Sequence, residues 1–217
     1  MTDNFDLFKK YIREAGIPES KHYLNDLFFT IQLIRRGKDC PDLPAANYTF
    51  KTYYIDNMEE YARAREEIIE ICKIFPFRAY ISVNCKSKTR SQSRVLIKIA
   101  QAIEMGETKK PWRMFNAACD EVANRNDKRW IVDVDSSDYR VVEPMRILVV
   151  SCASKYDANE IILMQVPTKS GFHLITRPFN IEQFKNKFEM MREQMILKIE
   201  CPDIKKNHLT LLYENLP

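Results

Sequence analysis

Apolar and polar positions follow two periods along this chain, and the changes between them mark the elements. Phe5, Leu7, Phe8, Tyr11 and Ile12 recur at near-helical spacing, and Gly16 ends that segment, which predicts a helix over 6–15. Residues 27–34 are rich in Phe, Thr and Ile and read as a strand, as do 48–55. Between them, 41–46 reads as a loop. Asp56 or Asn57 is placed to cap a helix over 58–74, and 78–83 is a short apolar strand. Residues 91–103 mix Val95, Ile97, Ile99 and Ile103 with Lys and Arg, as a helix does. A further helix over 111–123 opens on Pro111, a residue suited to a first turn.

From Arg129 onward the pattern changes. A strand over 130–135 precedes a helix around 144–154, although Ile147 to Val150 also fits a strand. Strands over 161–166 and 172–177 flank the tight turn Lys169-Ser170-Gly171. A helix capped by Asn180 spans 181–192, a β-like stretch lies near 197–201, and a last strand covers 209–214. This β-α-β-β-α-β order is that of a ferredoxin-like or RRM-like sheet. The fold class expected is α+β, with an N-terminal α/β module over 1–128 and an RRM-like domain over 129–217. In such a sheet the first and third strands are central neighbours. Alternation then turns Trp130, Val132, Val134, Phe172 and Leu174 toward the helices. Ile131, Asp133, Asp135, His173, Ile175 and Arg177 share the other, open face.

Composition narrows the function classes. The 217 residues carry a net charge of +4, with 45% hydrophobic and 29% charged residues, an ordinary globular mixture that permits a nucleic-acid partner without requiring one. No apolar run reaches the roughly 20 residues of a membrane span, and the first residues lack the pattern of a signal peptide. A cytoplasmic, non-membrane protein is expected. Cys40, Cys72, Cys85, Cys119, Cys152 and Cys201 form no close pair, which argues against zinc ribbons and redox motifs. With four glycines, the chain has neither a Walker A loop nor a dinucleotide fingerprint.

The chemistry-bearing residues gather around the second half. Asp133 and Asp135 leave one face of a strand end, and two hard oxygen ligands so placed suit Mg²⁺ or Mn²⁺. The same D-x-D also serves as a plain solubilising strand end. Lys169, Ser170 and the turn's backbone N–H groups can cradle phosphate, or simply form a hairpin with Gly171 at positive φ. Ser87 to Arg94, with Lys88, Arg90 and Arg94, is a basic, hydroxyl-rich run just before a helix and offers a second phosphate grip or a solvated loop. Lys109 to Arg113 joins charge to Trp112, as stacking surfaces do. His208-Leu209-Thr210 matches half of a two-histidine phosphoesterase signature, but His173 is followed by H-x-x-T spacing, which puts Thr176 on the wrong strand face.

Val132-Asp133-Val134-Asp135 and Lys169-Ser170-Gly171-Phe172-His173 resemble the first two motifs of the archaeo-eukaryotic primase (primase–polymerase) superfamily, and the stretch 129–214 is similar to small phage-encoded primase-like proteins. The resemblance implies an RRM-like catalytic palm. It implies that Asp133 and Asp135 bind Mg²⁺ or Mn²⁺, and that Lys169, Ser170 and His173 contact the phosphates of an NTP or dNTP, with Arg177 nearby. Lys88, Arg90 and Arg94 are the nucleic-acid-binding candidates. The third acid of such a site has three candidates, Asp203, Glu200 and Glu214, with Asp203 preferred. The activity implied is nucleotide transfer on a single-stranded DNA template, alongside other replication proteins, in the host cytoplasm for a phage chain. Two alternatives remain: a non-catalytic RRM-like single-strand-binding module, and a metal-dependent phosphodiesterase or nuclease.

Overall fold

In a computed structural model that describes residues 1–39, 46–106, 114–115, 117–118, 128–136, 138–194 and 199–215, the chain is a mixed α+β structure with two β-sheets. Lys109 to Arg113, Trp112, Cys40 and Cys119 lie outside the described residues, as do most of the 41–46 loop and most of the 111–123 helix. Residues 114, 115, 117 and 118 of the latter are helical.

The first sheet runs β1 (Thr2–Asp3), β10 (Leu209–Glu214), β4 (Arg78–Ser82), β2 (Leu27–Arg35), β3 (Tyr48–Ile55), with β5 (Lys86–Ser87) paired to β2. Helices α1 (Phe5–Glu14) and α2 (Met58–Ile74) bury Phe5, Phe8, Ile12, Tyr61 and Ile68 against Phe29, Ile31, Leu33 and Ile81. Each such side chain removed from water stabilises by about 1.5–3 kcal/mol. The expected caps form: Gly16 adopts φ 91°, and Asn57 accepts a hydrogen bond from the Glu60 N–H at 2.9 Å. Helix α3 (Lys88–Glu104) begins earlier than the sequence pattern suggests, because Ser87 caps it and Asp26 accepts from the Thr89 N–H at 2.8 Å. The basic run at Ser87 to Arg94 is therefore mostly the first turns of a helix rather than a loop ahead of one.

The second sheet has the order β7 (Ile162–Pro167), β8 (Phe172–Thr176), β6 (Trp130–Val134), β9 (Asp203–Lys206), all antiparallel. Val132, Val134, Phe172 and Leu174 bury one face against α4 (Val142–Ser151) and α6 (Ile181–Glu193) through Met145, Leu148, Val149, Phe184 and Phe188. The ambiguous Ile147–Val150 stretch is thus helical. A helical turn, α5 (Ala158–Ile161), leads into β7. Asn180 caps α6 by accepting from the Gln183 N–H at 3.0 Å.

Two expectations need correction. The strand at 209–214 does not close the second sheet but inserts as β10 between β1 and β4 of the first. Its run Leu211, Leu212, Tyr213 is buried on both faces, as a central strand must be. The strand beside β6 is β9, and the described residues of the expected β-like stretch, 199–201, are irregular. Nor is the second face of this sheet open: Ile131, Val166 and Ile175 join the first sheet's hydrophobic core. Polar ties hold the sheets together there. The buried Asn4 amide donates to the carbonyls of Pro167 and Leu211, both at 3.0 Å, and the Asn84 side-chain amide donates to the Arg129 carbonyl and accepts from the Arg129 N–H. Cys72, Cys85 and Cys152 are buried and form no disulfide among the described residues. Among the described residues no helix is long and apolar enough to cross a membrane.

Candidate active site

One row of side chains crosses three strands of the second sheet. Asp133 on β6 stands directly opposite His173 on β8 and directly opposite Asp203 on β9. Period-two alternation puts all three on the face that meets the first sheet. That face continues into a cavity of about 740 Å³ lined by Asp133, Asp135, Asp203, His173, Lys169 and Ser170 together with residues of the first sheet. Two carboxylates two residues apart and a third 70 residues from the first therefore line one space.

Like charges facing each other across a strand pair repel, so Asp133 opposite Asp203 is costly without a counter-ion. Lys205, two residues beyond Asp203 and on the same face, supplies one: its ammonium donates to Asp133 Oδ2. The other oxygen, Oδ1, accepts from His173 Nε2 at 2.9 Å. His173 Nδ1 is in turn hydrogen-bonded to the Thr210 hydroxyl at 2.7 Å, so the ring is held between a strand of each sheet. Burial alone pushes the Asp133 carboxyl up, but the hydrogen bonds and charges of His173 and Lys205 outweigh it and hold the group well below the usual carboxylate range.

A depressed folded-state value means that the unfolded chain binds the proton more tightly. Asp133 therefore contributes stability that is complete above about pH 4 and is lost as pH falls below the unfolded value. Asp133→Asn is expected to flatten the acid limb of a stability-versus-pH curve measured by denaturant titration between about pH 5 and pH 2. An unchanged limb would show that the carboxylate is unpaired in solution.

The turn beside the acids is placed by backbone packing. Ser170 Oγ donates to Asp135 Oδ1 at 3.0 Å, and the Thr168 N–H donates to the Gly171 carbonyl at 2.9 Å. Gly171 is not in the left-handed region, contrary to the hairpin expectation. It is needed because a Cβ there would stand 2.0 Å from the Val134 carbonyl oxygen and 2.6 Å from the Ser136 nitrogen. Gly171→Ala must push the turn off the end of β6, and a loss of about 1–3 kcal/mol is expected in chemical denaturation, together with separation of Ser170 from Asp135.

The remaining predicted residues lie elsewhere. Arg177 does not line the cavity: its Nε donates to the Glu160 carbonyl at 3.2 Å and its guanidinium lies over Tyr156. Lys88 is committed to Asp56 Oδ2 at 2.6 Å and to the Asn25 carbonyl at 2.9 Å, while Arg90 and Arg94 are exposed on α3. Of the other third-acid candidates, Glu200 is exposed off the cavity and Glu214 is buried beside Arg78. His208, set aside with the phosphoesterase signature, lines the same cavity as His173.

Sequence reasoning missed Lys205 and a set of residues from the first sheet and the turn that follows β2, Arg36, Lys38, Arg78 and Tyr80, that form the facing wall. Lys205 carries a signal once β9 is recognised, because i and i+2 share a strand face. The others belong to no motif.

The donor set suits a hard divalent cation in chemistry, being three carboxylates on adjacent strands and a strand end. Among the described residues, no group of three His, Cys, Asp or Glu side chains stands close enough together to hold a metal as arranged, and both oxygens of Asp133 are taken by His173 and Lys205. Compared with protein-family models, with curated proteins and with solved structures, the chain matches none.

Proposed function

We propose that this cavity is the active site of a primase–polymerase-like nucleotidyltransferase, which joins an NTP or dNTP to a nucleic-acid end on a single-stranded DNA template with Mg²⁺ or Mn²⁺. The observation that carries the reading is the row Asp203, Asp133, His173, with Asp135 and the Ser170 turn at its end. Acids and a phosphate grip stand together, as transfer of a phosphoryl group requires. The second sheet's β7-β8-β6-β9 order, with helices on one face, supports an RRM-like palm for the same reason.

In this reading Asp133, Asp135 and Asp203 hold the divalent ions, which neutralise the triphosphate and activate the attacking hydroxyl when bound. Lys205 acts as the counter-ion of the acid pair and moves from Asp133 to a substrate phosphate. Lys169 and Ser170 hold the phosphates, and His173, kept on Thr210 through Nδ1, transfers its Nε2 hydrogen bond from Asp133 to one of their oxygens. The test is incorporation of labelled nucleotide on a primed or unprimed single strand in Mg²⁺ or Mn²⁺, with Asp133→Ala/Asp135→Ala as the blank. No incorporation by the wild-type protein with intact template binding rejects the enzyme and leaves a binding module.

A further inference from the structure

The two walls of the cavity differ in charge. All three lining carboxylates, Asp133, Asp135 and Asp203, come from the second sheet and its strand ends, and they are accompanied by Lys169 and Lys205. The first sheet contributes Arg78 and the turn that follows β2 contributes Arg36 and Lys38, with no carboxylate among the described residues of this wall. Arg78 is neutralised beneath the surface by Asp39 at 2.6 Å and Glu214 at 3.2 Å. Arg36 and Lys38 have no carboxylate partner among the described residues. The Arg36 guanidinium donates a 3.4 Å hydrogen bond to the Tyr80 hydroxyl.

Register places the sheet part of this wall on one surface: Ile34 stands opposite Arg78 and Tyr80 opposite Leu211, so Ile34, Tyr80, Leu209 and Leu211 give the cavity an apolar floor, which Arg36 and Lys38 line together with them. One triphosphate needs one grip, and the Lys169–Ser170 turn next to Asp135 is that grip. A second pair of cations across the cavity, with no carboxylate partner among the described residues, calls for a second anion. The floor selects its kind: inorganic polyphosphate has no use for an aromatic ring and three aliphatic side chains, whereas a single strand lays bases or sugars on such a floor and its phosphates on flanking cations.

We propose that Arg36 and Lys38, with the Tyr80 ring beside Arg36, bind the backbone of single-stranded DNA on the first sheet's wall. The inference takes the identity of the anion from the nucleotidyl-transfer reading, but binding of the strand needs neither metal nor nucleotide. Arg36 holds a phosphate through its guanidinium while its bond to the Tyr80 hydroxyl keeps the ring in place. Lys38, exposed at the rim, holds the next phosphate outward.

The experiment is fluorescence anisotropy of a labelled oligothymidylate with the full chain, in EDTA and without nucleotide, at about 50 and about 200 mM salt. Arg36→Ala/Lys38→Ala is expected to weaken binding at least about 5-fold at the lower salt, and to lower the slope of log affinity against log salt by about 0.7 for each cation removed. Arg36→Lys/Lys38→Arg keeps both charges and is expected to keep the wild-type slope, which separates lost charge from a damaged fold. Unchanged affinity and slope in the alanine pair overturn the proposal, as does an equal loss in the charge-retaining pair. The two readings fail separately. An active enzyme whose alanine pair binds the strand normally loses this surface and keeps its function. A protein without incorporation whose alanine pair releases the strand keeps the surface and loses the enzyme.

Discussion

Asp203→Asn is expected to lower metal-dependent nucleotide incorporation by at least about 100-fold while leaving the folded state as stable as before, or slightly more so. Under the proposed function the activity loss follows from removing one of the three carboxylates that would hold the metal, an effect of several kcal/mol on a transition state that bound ions would neutralise. The stability effect has the opposite sign because Asp203 is exposed and stands directly across from Asp133. Replacing it with a neutral isostere relieves a like-charge contact. Parallel steady-state assays and urea titrations check the pair of outcomes. Glu200→Gln is the matched control, since Glu200 lies off the cavity and should change neither quantity. If Glu200→Gln abolished incorporation and Asp203→Asn did not, the third acid would be misassigned.

Arg78→Met is expected to cost about 3–5 kcal/mol of folding stability, the largest effect of any single change proposed for this chain. The Arg78 side chain is 5% exposed and lies between Asp39 and Glu214, whose side chains are 10% and 4% exposed. Removing the cation leaves two carboxylates largely out of water without a counter-ion. Glu214 lies at the end of β10, in register with Arg78, so the strain falls where the last strand of the chain closes the first sheet. Neutralising the acids together with the arginine, as Arg78→Met/Asp39→Leu/Glu214→Leu, is expected to recover most of the loss, because well-packed apolar groups replace buried ion clusters at little cost. Chemical denaturation of both variants tests this. A single variant within about 1 kcal/mol of wild type would place Arg78 in contact with solvent.

Local structure was largely legible from residue order. The helices at α1, α2 and α6 follow their apolar spacing and caps, and the β7–β8 hairpin follows from Lys169-Ser170-Gly171 between two apolar strands. The alternation that turned Val132 and Leu174 inward and Asp133 and His173 outward also held, because side-chain direction in a strand is fixed by the backbone.

What residue order did not carry was partnership between distant strands. Leu209–Glu214 reads as a strand, but nothing in it says which sheet will take it, and its pairing with Arg78–Ser82 spans more than a hundred residues. Asp203–Lys206 contains one apolar residue, so it has no hydrophobic pattern to announce it. Its place is set by pairing with β6. The face expected to be open is covered because β10 and Asn4 bring the first sheet against it. The cations at positions 36, 38 and 78 meet the acids only after that docking. Gly171 illustrates the same limit locally: a turn glycine was expected for its φ, and packing against the Val134 carbonyl is the actual reason.

The most direct test of a metal-dependent transfer site built on Asp133, Asp135 and Asp203 is a crystal structure grown with Mn²⁺ and a non-hydrolysable nucleoside triphosphate, read by anomalous scattering. The expected result is a manganese peak between the three carboxylates, with Lys205 moved off Asp133 and the triphosphate on the Lys169–Ser170 turn. Manganese and nucleotide bound away from these acids, with Lys205 still paired to Asp133, would contradict it.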